Sequence, residues 1–134
     1  MTSFLQPLLL RGAGRQQIIN ARSGKVVADE LVTAFDSASR RKGLLRHASL
    51  PRSTALIIAP TNAIHTFFMK FPIDIAFVAK GGRVLKIRGS VPAWRMTASF
   101  RAFAVLELAA GSLDGSDTKV GDQLIVTEFV RRAS

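Results

Sequence analysis

Short apolar runs with a period of two, separated by Gly, Pro and Ser, dominate this sequence. That alternation is typical of β-strands and leaves little room for long helices. We therefore predict a mostly β (α+β) fold, an antiparallel barrel-like or folded sheet. Strands are predicted at residues 17–20, 25–28, 30–35, 55–59, 65–69, 73–79, 83–89, 103–109 and 123–130.

Helical segments are few. Asp36 or Ser37 can cap a short helix near residues 37–46, in which Leu44 and Leu45 would face the core. A further single helical turn is predicted within 111–122. The run Lys-Gly-Gly at 80–82 predicts a hairpin, because glycine supplies the positive φ that tight turns need.

The length of 134 residues suits one domain. We predict a flexible N-terminal tail at 1–14 and a single β-rich domain at 15–134. No apolar run approaches the roughly 20 residues that span a bilayer, so no membrane span is predicted. The first residues lack the charged start and long apolar stretch of a secretory signal, which favours a cytoplasmic location.

Cysteine is absent, which excludes disulfides, thiolate nucleophiles and Cys-ligated metal sites. With only His47 and His65 as imidazoles, we predict no metal and no cofactor. No nucleophile elbow or phosphate-binding glycine loop is present. A small hydrolase-like enzyme using Asp74, Glu107 and His65 stays open as an alternative.

Charge gives the clearest functional signal. The net charge is +10, and residues 37–106 carry twelve Lys or Arg with Asp74 as the only acid. Such an imbalance favours an anionic small molecule or an acidic partner. A nucleic-acid-binding module is a less favoured alternative, because the core needs most of the phenylalanines that could stack on bases.

The predicted ligand-binding residues are Arg46, His65, Lys70, Trp94 and Arg95. Trp94 lies in a Pro-flanked loop and is expected at the rim of the main surface concavity, beside Arg95. It could instead fold onto the core as a lid. His65 could likewise be a strand-start residue bonded to the backbone.

Two acids interrupt apolar strands, Asp74 in "IDIAFV" and Glu107 in "AVLELAA". Burying an unpaired carboxylate is costly, so we expect buried structural acids. Their predicted cationic partners are Arg46, Arg88 or Arg95. Asp74 in particular is expected to pair with an Arg where the central hairpin meets a loop.

The runs "HTFFMKFPIDIAF", "GGRVLKI", "PAW", "AVLELAAG" and "KVGDQL", with "SRRKGLLRHASL" before them, resemble the domain-of-unknown-function family 192 in order and spacing. The resemblance covers residues 30–128 and implies a compact, mostly β domain of bacteria or archaea with no assigned chemistry. Many relatives have Trp-Met before a cation where this chain has Phe68-Met69-Lys70. We therefore predict a non-catalytic binding or accessory domain with a basic face, its oligomeric state open.

Overall fold

The computed structural model describes residues 3–9, 15–36 and 50–128. In chain order it contains a 3-10 helix (Gln6–Leu9), β1 (Gln16–Asn20), β2 (Val26–Ala28), β3 (Glu30–Ala34), β4 (Thr54–Ile58), β5 (Ala63–His65), β6 (Ile73–Val78), β7 (Val84–Val91), β8 (Met96–Ala98), β9 (Ala104–Ala109), α1 (Ser112–Gly115) and β10 (Leu124–Glu128). The predicted mostly β fold is confirmed.

The strands form three sheets. A small sheet has the order β10-β1-β2, a central sheet the order β3-β4-β9-β6-β7, and β5 pairs with β8 in a two-stranded ribbon. All pairings are antiparallel except that between β3 and β4. The sheets do not close into a barrel, so the folded-sheet form of the prediction is the correct one.

Both faces of the central sheet are buried, and β6 is buried along its whole length. The first face packs against the small sheet through residues such as Ile18, Leu106 and Leu124. The second face forms a separate core around Phe77 and Ile75, which the ribbon and the loop after β5 help to cover. Burial on both sides explains why β6 reads as a nearly continuous apolar run.

Most predicted strands are confirmed within one or two residues, and so are the hairpin at 80–82 and the helical turn within 111–122. The strand predicted at 65–69 is wrong, because that segment turns sharply at Thr66 and Phe68 has a φ of 66°. β8 was not predicted, since "MTA" is too short to show a period. The helix predicted near 37–46 lies outside the described residues.

Residues 3–9 lie within the segment predicted as a tail, yet they pack on the domain. Leu5 is buried in the first core, and the Phe4 amide donates to the Lys80 carbonyl over 2.8 Å. Apolar burial at Leu5 supplies the reason for this order. The predicted boundary at residue 15 therefore does not mark where packing begins.

A buried polar network joins the β1–β2 turn to the loop before β10. Asp122 accepts hydrogen bonds from Arg22 Nε at 2.7 Å, from the Asn20 amide at 2.8 Å and from the Lys119 backbone N–H at 2.8 Å. These donors, with Arg22 the strongest, hold the pKa of Asp122 far below its usual range. The network fixes the β1–β2 turn to the loop that leads from α1 to β10.

Candidate binding site

The candidate site begins with Thr66, which joins the loop after β5 to the loop before β8. Its N–H donates to the Arg95 carbonyl over 2.8 Å, and its carbonyl accepts from the Trp94 N–H at 3.1 Å. Its buried hydroxyl donates to the Pro92 carbonyl over 2.6 Å and accepts from the Arg95 N–H at 2.9 Å. The two loops therefore behave as one unit.

Four rings gather on this unit and form what we term the aromatic cluster: His65, Phe67, Phe68 and Trp94. The His65 and Phe67 centroids are 4.7 Å apart, Phe67 stacks on Trp94 at 5.4 Å, and Phe68 meets Trp94 edge-on at 4.6 Å. Such spacings are those of favourable ring pairs. The cluster nevertheless stays open to solvent, since Phe68 is 66% and Trp94 56% exposed.

The backbone is strained where the cluster is most exposed. Phe68 has a φ of 66° and Trp94 a φ of 65°. For large side chains the left-handed region costs roughly 1–2 kcal/mol per residue. The Thr66 carbonyl accepts hydrogen bonds from the N–H groups of Met69 and Trp94, and so it holds both turns. The fold thus maintains two displayed rings at an energetic cost.

Cations accompany the rings without neighbouring acids. Lys70 and Arg95 are exposed, and Arg95 Nη1 lies 3.5 Å from the Trp94 carbonyl. Neither has an ion-pair partner among the described residues. Asp74, the only acid in 50–106, is buried. Residues 50–106, which build the aromatic cluster, therefore expose basic side chains and no acidic one.

The structure brings three of the predicted binding residues together, namely His65, Trp94 and Arg95, while Lys70 follows two residues after the exposed ring of Phe68. Arg46 lies outside the described residues. Trp94 is exposed beside Arg95, but it lines neither of the two cavities described. The larger, of about 530 Å³, is lined by Glu30, Val32, Leu50, Pro51, Arg52, Thr54 and Leu56.

Asp74 is buried as predicted. The prediction of an Arg partner is wrong for the part of the chain that the structure describes, because backbone N–H groups bind the carboxylate there. Its Oδ1 accepts from the Ser90 N–H at 2.8 Å, and its Oδ2 accepts from the N–H groups of Gly111 and Leu113, each at 3.0 Å. Backbone donors replace the guanidinium because Asp74 lies against the start of α1, where amide groups lack helical partners. The carboxylate fixes α1 on the central sheet.

Glu107 is also buried, in the second core, opposite Leu56 on β4 and Ile75 on β6. Its Oε2 has no hydrogen-bond partner, and no cation pairs with it in residues 3–9, 15–36 and 50–128. Burial raises the pKa of Glu107 to about 7. The carboxyl is therefore neutral below that pH, and the ion pair expected for Glu107 is absent from the described structure.

The enzyme alternative required Asp74 and Glu107 to form a pair. Asp74 shares its side of β6 with Ala76 in the first core, whereas Glu107 shares its side of β9 with Val105 in the second core. Successive side chains of a strand point to opposite faces, so the central sheet separates the two carboxyl groups. The proposed carboxylate pair does not form.

Sequence reasoning missed Thr66 and the ribbon, although both position the site. Thr66 stands between His65 and Phe67 in what reads as a strand, and a single hydroxyl in such a run gives no signal. Pro92, two residues before Trp94, was the available clue to a turn.

Within the described residues, no group of three or more His, Cys, Asp or Glu could hold a metal ion. The same residues include no helix with the length and apolar character needed to cross a bilayer.

Comparison with known proteins places these observations in a family. The model of DUF192, described as "Uncharacterized ACR", matches residues 18–126. No curated protein matches the chain significantly. A crystal structure of a protein of unknown function from Novosphingobium aromaticivorans DSM 12444 is 26% identical, with a TM-score of 0.69 over 81% of each chain. A proposed transcription regulator from Sinorhizobium meliloti 1021 is 19% identical, with a TM-score of 0.70 over 86% of this chain and 96% of its own, and shares the fold.

Proposed function

The chain belongs to DUF192, an uncharacterised family, so we propose its function from the site itself: a non-catalytic binding domain whose basic face holds an anionic small molecule or an acidic partner. The observation that carries this proposal is the exposed aromatic cluster beside Lys70 and Arg95, in a segment, residues 50–106, whose only acid, Asp74, is buried. Rings supply contact area, and unpaired cations attract and orient a negative ligand.

Nucleic-acid binding is the second candidate. Phe68 and Trp94 are more than half exposed, so both could stack on unpaired bases. Phosphate-driven binding has a steep salt dependence, whereas a small-anion or peptide site with few charges has a shallow one. The two candidates therefore differ in a measurable slope.

Trp94 is the only tryptophan, so its fluorescence reports on the site directly. We would titrate the protein with inorganic polyphosphate, polyglutamate and oligo-dT across a salt series. The test variant combines Lys70→Gln with Arg95→Gln, and the matched control combines Lys25→Gln with Arg52→Gln, which removes the same charge from exposed positions elsewhere.

The proposal expects saturable quenching or shift of Trp94 emission by an acidic probe, with affinity about tenfold lower in the test variant and little changed in the control. Equal losses in both variants would show a merely global charge effect and refute the site. Absence of binding to every probe at low salt would refute the function. A steep slope confined to oligo-dT would favour the second candidate.

A further inference from the structure

The ribbon exposes the side chains of Met96 and Ala98, and the exposed side chains of Trp94 and Phe100 come shortly before and after β8; we call these four residues the ribbon stripe. Met96 is 76% and Phe100 92% exposed. Alternate residues of β8 behave differently, because Thr97 is half-buried and pairs with Ile64, which packs on the second core. The stripe therefore faces solvent while the other side of the ribbon faces the protein.

The partner strand widens this surface. Met96 lies opposite His65 and Ala98 opposite Ala63, and both β5 residues are exposed. Single exposed apolar residues are ordinary, but contiguous ones on a monomer mark interaction surfaces.

Cations border the stripe along its length. Lys86 Nζ donates to the Ala98 carbonyl over 2.7 Å, which holds an ammonium group at the edge of the ribbon. Arg95 and Arg101 are exposed beside Trp94 and Phe100. No exposed acid lies within residues 50–106 to oppose them. The complementary surface is therefore apolar along its centre and acidic at its margins.

We infer that the ribbon stripe is a docking surface for an acidic protein segment that carries apolar side chains. The inference rests on the proposed function and names the class of its partner. Trp, Phe, Met and Arg are the residue types that concentrate at the cores of protein interfaces. Met96, Ala98 and the neighbouring Ala63 of β5 offer no ring on which a base could stack, which argues against single-stranded nucleic acid as the occupant.

A second copy of this chain is a poorer occupant. The net charge of +10 makes two such faces repel one another. The ribbon also has no acidic side chain that could pair with the cations of a second copy. An acidic segment from another protein meets both requirements of the surface.

Two synthetic peptides of equal length and equal glutamate content test this inference. One carries Leu and Phe at alternate positions, and the other carries Ser and Gly there. The test variant combines Met96→Ser with Phe100→Ser. The control is Val26→Ser, which makes the same kind of change at an exposed residue of the small sheet. Thermal unfolding should be nearly unchanged in all variants, because these side chains are exposed.

The apolar-acidic peptide should bind about tenfold more tightly than the purely acidic one, and the test variant should abolish that advantage without weakening the acidic peptide. Val26→Ser should change neither affinity. If both peptides bind equally and Lys70→Gln with Arg95→Gln weakens both, the ribbon stripe is not the docking surface. The proposed function would still stand. Binding of neither peptide, with no response to polyphosphate, would refute both.

Two other results would assign the ribbon stripe to a different binding partner. Tighter binding of oligo-dT than of either peptide, lost in the test variant, would assign the stripe to nucleic acid. A dimer in sedimentation that the same variant dissociates would assign it to a second copy of the chain.

Discussion

Each face of the central sheet buries one carboxyl group, and the two groups differ in their hydrogen bonding. On the first face, Asp74 accepts hydrogen bonds from three backbone N–H groups and holds α1. On the second face, Glu107 is buried with an oxygen that no described residue bonds. A satisfied buried polar group rigidifies its surroundings, whereas an unsatisfied one is costly. Asp74 thus stabilises the first face, whereas Glu107 is an energetic cost to the second.

The same contrast extends outward from the sheet. The first face is covered by the small sheet, in which the network around Asp122 joins the β1–β2 turn to the loop before β10. The second face is partly covered by the ribbon and its adjoining loops, where Phe68 and Trp94 have left-handed backbones and exposed rings. Strain of this kind persists only when the surrounding structure holds it, and it concentrates at binding sites.

Removing the Asp74 carboxylate should produce the largest loss of stability. Asp74→Ala leaves the N–H groups of Ser90, Gly111 and Leu113 without their acceptor, and we expect a loss of roughly 3–5 kcal/mol in the free energy of unfolding. Urea denaturation measures it. Asp114→Ala, which removes an exposed acid of α1, is the control and should cost under about 0.5 kcal/mol. Similar small effects in both variants would refute the structural role of Asp74.

Glu107 should make the free energy of unfolding fall as pH rises, whereas an ion-paired acid would make it rise. Its pKa is raised from 4.5 to about 7 in the folded protein. Between these values the unfolded chain ionises while the folded chain keeps its proton, so stability falls as pH rises. The difference corresponds to a loss of roughly 3 kcal/mol, complete by about pH 8.

Glu107→Gln keeps the size of the side chain and removes the titration. Relative to wild type it should therefore gain stability as pH rises from about 4.5 to about 8. Urea midpoints at several pH values for both proteins measure the difference. Parallel pH profiles would show that Glu107 is not the group that titrates, and the contrast between the two faces would then rest on Asp74 alone.

The sequence was informative about the fold because strand formation depends on local alternation. "IDIAFV" and "AVLELA" both became central strands, and the two glycines after Lys80 made the predicted hairpin. The parallel pairing of β3 with β4 could not be predicted, since it joins segments across a long connection and follows from which strands share the core. The short strands of the ribbon carry too few residues for a periodic pattern.

The candidate site was only partly predictable. An unusual loop Trp beside Arg95 and an excess of cations could be read directly. The partners of Asp74 and Glu107 could not, because backbone N–H donors have no sequence signature and an unpaired acid looks the same as a paired one. The charge imbalance suggested guanidinium partners, yet the fold uses the amides at the start of α1 for one acid and supplies none for the other.

Thr66→Val should have the smallest effect on stability among these core-facing changes, and it tests how the ribbon is held. Thr66→Val preserves shape but removes the hydroxyl that donates to the Pro92 carbonyl and accepts from the Arg95 N–H. Leaving these groups unpaired should cost roughly 1–2 kcal/mol. Thr66→Ser, which keeps the hydroxyl, is the matched control and should lie close to wild type.

The spectroscopic consequence of Thr66→Val should exceed its effect on stability. The loop that carries Trp94 loses a connection to β5, so the ring should separate from Phe67 and Phe68 and its emission should become more accessible to acrylamide. Because Trp94 is the only tryptophan, steady-state fluorescence and anisotropy report this change without interference. If Thr66→Val and Thr66→Ser both match wild type in unfolding and in quenching, the hydroxyl does not organise the aromatic cluster. The strained turns at Phe68 and Trp94 would then depend on the backbone hydrogen bonds of Thr66 and not on its hydroxyl.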